Sequence, residues 1–182
     1  MDTYTGKLVD LQDIKPDDID IIDIAHSLAR QCRFGGHCEA FYSVAQHSVI
    51  LSIEVAKAKK GDAFFALMHD ATEAYVGDII HPLKVMLPGF KEIEERVWEA
   101  VKEKFHIEVS PDDHATVMSM DRRLALNEGR ALLEKDISPE EYGVEQALPD
   151  PMGLLSISIL KTMDPRYAYA LFMQRFHELY NG

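Results

Sequence analysis

Apolar residues recur along most of the chain at spacings of three and four, the period of helices that bury one face. Only the first few residues, Thr3 to Val9, alternate as a short strand would. The expected fold is therefore all-α, a single-domain helical bundle. A first helix is expected to start near Pro16, which suits the first helical position, and to carry Ile19, Ile22, Ala25 and Leu28 before Gly35-Gly36 breaks it. A second is expected from about Ser43 to Lys59 and a third from about Asp62 to Tyr75, with Gly61 as the stop between them.

Beyond Gly77 the stretch DIIHPLKVMLPG holds Pro82, Pro88 and Gly89, which forbid a long regular helix and predict an ordered loop. A charge-laced amphipathic helix follows, roughly Phe90 to Phe105. The next begins at Ser110-Pro111-Asp112-Asp113, which joins a capping serine, a proline at the first helical position and acids in the first turn. It should reach about Leu133 with Asp121 in its middle. Asp136 to Gly153 reads as a surface excursion with room for one short helix. Asp164-Pro165 caps a final helix ending near Tyr180.

Length and composition narrow the class. At 182 residues and 47% hydrophobic content, one well-buried core spanning residues 1–182 is the natural reading. No run of apolar residues is long enough to cross a membrane, and MDTYTGKLVD carries acids where a secretory signal needs a basic flank. A soluble, cytoplasmic protein with no membrane partner is expected. Cys32 and Cys38 lie six positions apart, which fits neither a zinc knuckle nor a disulfide framework, so they read as free thiols. A net charge of -12 repels a nucleic-acid polymer. It leaves small phosphorylated molecules open, because a metal ion and a few local cations can reverse the potential inside one cleft.

The chemistry concentrates in FFALMHDATEAYVGD. His69, Asp70 and Glu73 stand at helical spacings of three and four, on one face of a helix whose neighbours Phe64, Phe65, Leu67 and Met68 belong in a core. Burying a carboxylate beside an imidazole is costly unless something satisfies both, and a divalent cation does so directly. The mixed nitrogen and oxygen set suits zinc, cobalt or manganese as the main ion, with magnesium as a second through water. His47, on the preceding helix, and Asp121, interrupting a core-like run, can reach a shared point in a helical bundle. A buried histidine is more often a hydrogen-bonded core residue, and Arg122 and Arg123 stand ready to pair with Asp121. Only the whole pattern favours a metal.

That pattern resembles the HD-domain metal-dependent phosphohydrolase superfamily. The likeness runs from about Arg33 to Glu128, through SVAQHSV with His47, ALMHDATEAYVGD with His69-Asp70, and MSMDRRLALNE with Asp121. The stretch through Glu73 and Gly77-Asp78 to His81-Pro82-Leu83-Lys84 is similar to the branch of 5'-deoxynucleotidases and phage-type dATP triphosphohydrolases. The resemblance implies His47, His69, Asp70 and Asp121 as metal ligands and Glu73 and Asp78 as the acid-base pair around the attacking water. It also implies Arg33 and Lys84 as phosphate contacts. Phe34 is a candidate to stack on a base, although an aromatic at that place also suits a core.

The resulting expectation is hydrolysis of a (deoxy)nucleotide at the α-phosphate, releasing the nucleoside with triphosphate or phosphate. A triphosphate substrate is slightly favoured by the phage-like spacing. The alternatives are a 5'-deoxynucleotidase acting on monophosphates, hydrolysis of another phosphate ester or a signalling nucleotide, and a metal-stabilised binding domain without turnover. A homo-oligomer, using the apolar C-terminal helix, is compatible with the resemblance, and the host cytoplasm is the expected location if a phage encodes the chain. His37 and His81 read as outer or surface groups, Trp98 as packing, and His26, His106, His114 and His177 as surface or capping residues.

Overall fold

Ser43 shows how closely short-range polar chemistry sets the helix ends. Its hydroxyl accepts from the Gln46 backbone N–H at 3.2 Å, while the Gln46 side chain accepts from the Ser43 N–H at 2.9 Å. This reciprocal cap opens a helix buried on nearly every side, as expected of one at the centre of a bundle. In the computed structural model, residues 1–133, 135–149 and 163–180 are described, and among them the fold is all-α.

Among the described residues eight α-helices follow in order: α1 Ile21–Leu28, α2 Val44–Ala58, α3 Ala63–Met68, α4 Glu73–Val76, α5 His81–Lys84, α6 Phe90–Phe105, α7 Pro111–Leu132 and α8 Pro165–Leu179. The central α2 packs against α3, α7 and α8, and α1 packs against α4 and α8. Leu28, Leu51, Leu67, Leu124 and Phe172 are fully buried where these helices meet. Among the described residues no helix is long and apolar enough to cross a membrane.

The caps place most boundaries where the sequence put them. Asp62 accepts from the Phe65 N–H at 2.7 Å, Ser110 from the Asp113 N–H at 3.1 Å and Asp164 from the Arg166 N–H at 2.7 Å. Three expectations need correction. Pro16 opens only a single 3-10 turn, Pro16–Asp18, and α1 begins at Ile21 because Asp20 is its cap, accepting from the Ile22 N–H at 2.9 Å. Ile22 consequently faces outward and Ile24 fills the core. Thr3 to Val9 forms a turn with one isolated bridge, Asp2 to Leu8, instead of a strand.

The third correction bears on the site. The helix expected from Asp62 to Tyr75 breaks at His69, where α3 gives way to a tightened stretch with bonds from the Ala71 N–H to the Met68 carbonyl and from Glu73 to Asp70. His69 supplies the reason. Its Nδ1 lies 2.9 Å from the Ala66 carbonyl, the group that an unbroken helix offers to the Asp70 N–H. The predicted excursion after Asp136 contains a 3-10 turn, Pro139–Tyr142, and its last part, Asp150 to Gly153, lies outside the described residues.

Candidate metal centre

The four ligands proposed from the sequence come together. α2 carries His47, the end of α3 presents His69 and Asp70, and the middle of α7 brings Asp121. His47 Nε2 lies 3.0 Å from Asp121 Oδ1 and 3.9 Å from Asp70 Oδ2. His69 Nε2 lies 3.1 Å from Asp70 Oδ1 and 3.9 Å from Asp121 Oδ1. Atoms sharing an ion at about 2.1 Å stand roughly 3.0 Å apart at a right angle and roughly 3.4 Å apart at the tetrahedral angle. The observed separations straddle those values, and His47, His69 and Asp70 form a group able to hold a metal ion.

Hydrogen bonding on the far side of each ring gives a second, independent fit. His47 Nδ1 lies 2.7 Å from Glu128 Oε1, and His69 Nδ1 faces the Ala66 carbonyl. Both partners are acceptors, so each Nδ1 holds a hydrogen and each Nε2 is the nitrogen that can offer a lone pair to an ion at the common point. Both Nε2 atoms are buried without a hydrogen-bond partner. Asp121 Oδ1 is close to His47 Nε2, but off the direction that a hydrogen bond requires.

Charge points the same way. Asp70, Glu73, Asp78, Asp121 and Glu128 gather around the site with Arg33 and Lys84 as the facing cations. A divalent cation relieves that excess of negative charge. Without one, the site attracts protons. Burial and Arg33 both act to lower the His47 pKa, yet Glu128 and Asp121 outweigh them and raise it to about 10. Burial opposes the charged form of Asp70 too, but His69, His47 and Arg33 hold its carboxyl well below the usual range.

Glu128 is a residue that sequence reasoning missed. It is fully buried, accepts from the Tyr42 hydroxyl at 2.7 Å, bonds His47 Nδ1, and has Arg33 Nε 3.3 Å from its other oxygen. Its signal was available, since it falls seven residues after Asp121, two turns along the same face of α7. A carboxylate that fixes the far nitrogen of a ligating histidine orients the ring and raises its basicity. Replacing Glu128 with Gln is therefore expected to weaken cobalt or zinc binding by about 10–100-fold, as read by calorimetric titration of metal into the chelator-treated protein.

Glu73 is buried on α4, and its Oε2 has no hydrogen-bond partner. Burial pushes its pKa well up, and the charges of Asp70 and Asp78 add to the push. Its Oε1 lies 3.6 Å from Lys84 Nζ. Gly77 then takes φ +84°, which an L side chain rarely adopts, and turns the chain so that half-buried Asp78 follows. Burial raises the Asp78 pKa in spite of Arg33.

The implied substrate contacts are already engaged with protein. Arg33 lies between Glu128 and Asp70, its Nη1 being 3.6 Å from Asp70 Oδ2, and its guanidinium stands 5.7 Å from the Phe34 ring. Phe34 is half-buried against the core. Lys84 bonds Glu94 at 2.8 Å and stacks near Phe90. His37 and His81 are exposed, and the free thiols of Cys32 and Cys38 lie 3.8 Å apart.

A cavity of about 310 Å³ opens directly on the pair His69-Asp70. Phe65, Trp98, His114 and Met118 supply its aromatic and apolar lining, and Lys84 and Glu94 line it as well. The His114 ring stacks on Phe65 at 5.4 Å, and Trp98 meets the same ring at 5.8 Å. Trp98 and His114 were read as packing and surface residues, and the structure puts both beside the site.

No protein-family model matches the chain. A protein of Escherichia coli strain K12, described as uncharacterized protein YfdR, is 40% identical over 177 residues, which cover 97% of this chain and 93% of its own length. An uncharacterized protein of Rhodobacter capsulatus is 39% identical over 108 residues, 56% of this chain and 55% of its own.

Proposed function

The chain belongs to the family of Escherichia coli YfdR, and from the site it carries we propose that it is an HD-type, metal-dependent phosphohydrolase that cuts (deoxy)nucleotides at the α-phosphorus. One observation carries the reading. Two imidazole Nε2 atoms and two carboxylates converge on one point near a buried glutamate with a free oxygen, and two of the four residues line an aromatic-walled cavity.

His47, His69, Asp70 and Asp121 would hold the ion. A divalent cation bound there supplies Lewis-acid polarisation of a phosphoryl oxygen and a lowered pKa for water in its coordination sphere. Glu73 Oε2, with no other partner, takes the proton of the attacking water, and a pKa raised by burial suits a base that must also release it. Asp78 is its partner in proton transfer toward the leaving 5'-oxygen. Arg33 and Lys84 offer charge to the phosphate. The cavity walled by Phe65, Trp98 and His114 takes the flat leaving nucleoside.

The phage-like spacing that slightly favoured a triphosphate remains one reading. A monophosphate is the second, and a specific observation favours it. Arg33 and Lys84 each already face two carboxylates, which limits the negative charge that they can still neutralise.

Hydrolysis in 18O-enriched water tests the bond proposed. The label is expected in the released orthophosphate or triphosphate, with unlabelled nucleoside. Label in the nucleoside, or a nucleoside diphosphate as product, would overturn attack at the α-phosphorus. Trp98 is the single tryptophan of the chain, so its fluorescence reports on the cavity alone. Deoxynucleoside without any phosphate is expected to change that emission saturably, and ribose 5-phosphate, which lacks a base, is not.

A further inference from the structure

Glu73 sits on a helix of four residues and Asp78 beyond it on a glycine turn, and neither element can hold its own position. A single helical turn has too few internal bonds to repay nucleation. Whatever fixes these two carboxylates must come from outside α4.

The side chains that bond the backbone of this stretch belong to α1 and the segment just after it. Ser27, on α1, donates its hydroxyl to the Ala74 carbonyl at 3.2 Å. Gln31 goes further. Its Nε2 donates to the Glu73 carbonyl at 2.8 Å and to Ser27 Oγ at 3.0 Å, and its Oε1 accepts from the Asp78 N–H at 2.7 Å. One side chain therefore grips the backbone of both residues given the acid-base role.

We propose that Gln31 is a positioning residue that holds Glu73 and Asp78 in register with the metal ligands. This rests on the acid-base reading of those two residues. The chemistry of the side chain suits the task, because a primary amide presents a donor and an acceptor at one end, whereas a carboxylate only accepts and an ammonium only donates. Its anchorage suits it as well. The Gln31 carbonyl accepts from the Val44 N–H at 3.2 Å, Cys32 bridges to Ser43, and the Arg33 N–H donates to the Tyr42 carbonyl at 2.9 Å. Residues 31–33 are thereby joined to the start of α2, the helix that carries His47. Gln31 links the frame of a metal ligand to the frame of the acid-base pair, without touching the metal ligands.

Reacting groups misplaced by about 1 Å can lose roughly a hundredfold in rate. Gln31→Met keeps the length of the side chain and removes all three bonds. With dAMP and dATP as probes and cobalt as the metal, it is expected to lower kcat by about 10–100-fold, leave KM within about threefold and leave bound cobalt unchanged. Hydrogen exchange at the Asp78 amide should quicken by at least about tenfold. Gln31→Glu keeps the acceptor for that amide and loses the donor to Glu73, so it should keep the amide slow while kcat stays low. Ser27→Ala removes the bond between α1 and α4 and the Gln31 bond to Ser27 Oγ, but spares the two Gln31 bonds to Glu73 and Asp78, and should retain kcat within about twofold.

Wild-type kcat in Gln31→Met, unchanged exchange at Asp78, or an equal loss in Ser27→Ala would each overturn the positioning role. If the wild-type protein turns over neither probe, the kinetic comparison passes to a nucleotide that it does hydrolyse, and if it hydrolyses none under any metal the hydrolase reading fails by itself while amide exchange alone decides whether Gln31 holds Asp78.

Discussion

Asp70→Asn is expected to empty the metal centre and abolish turnover together, with bound metal falling below about a tenth of an equivalent and kcat/KM dropping by at least about a thousandfold. Asp70 has one oxygen 3.1 Å from His69 Nε2 and the other 3.9 Å from His47 Nε2 and 3.6 Å from Arg33. Asparagine keeps one oxygen and replaces the other with an amide whose hydrogens repel both a cation and the guanidinium. It also removes a negative charge from a site that needs it to draw an ion. Elemental mass spectrometry of the dialysed protein, beside steady-state kinetics, reads both effects. A variant with full metal and no turnover would move Asp70 from ligation to chemistry.

Glu73→Ala should behave in the opposite way toward the metal. The ligands are untouched, so bound metal stays at the wild-type level while kcat falls by about 10²–10⁴-fold, the usual contribution of a positioned general base. Acidity adds a second signature. A base works when deprotonated, and burial has pushed the Glu73 pKa well above the ordinary glutamate value. In the wild type, kcat/KM should therefore rise with pH through a limb lying above the range of an exposed glutamate. That limb should vanish in Glu73→Ala. A near-normal rate in the variant would remove Glu73 from the mechanism.

Much of this was legible in the sequence because capping chemistry is local. Ser43, Ser110 and Asp164 each mark a helix start by their own hydrogen bond, and α6, α7 and α8 end within about a residue of expectation. The cluster of His47, His69, Asp70 and Asp121 was legible because histidines and aspartates that interrupt apolar helix faces stand out against their neighbours. The break at His69 was hidden, since apolar spacing cannot reveal that an imidazole takes the Ala66 carbonyl. Pro16 misled because a proline suits a 3-10 turn as well as a helix, and only the bond from Ile22 to Asp20 shows where α1 begins.

Glu128 was overlooked for a different reason. An acid near the end of a polar-rich helix looks like a solvated one until Tyr42, His47 and Arg33, brought from distant parts of the chain, enclose it. The same holds for Trp98 and His114. Each lies on a helix face that reads as packing or surface, and the cavity is lined jointly by residues of α6, α7 and the end of α3, which only the folded chain brings together. Gln31 is a loop residue with no periodicity to mark it, and its value lies in two backbone groups more than forty positions away.

The most direct test of the account is turnover by the purified protein, stripped with chelator and then supplied with cobalt, manganese, zinc or magnesium. It would be presented with a panel of nucleoside and deoxynucleoside mono-, di- and triphosphates, and the products separated by chromatography. The account predicts no product from the stripped protein, and free nucleoside together with phosphate or triphosphate once a suitable ion is restored. No hydrolysis of any nucleotide under any of the four metals would contradict it.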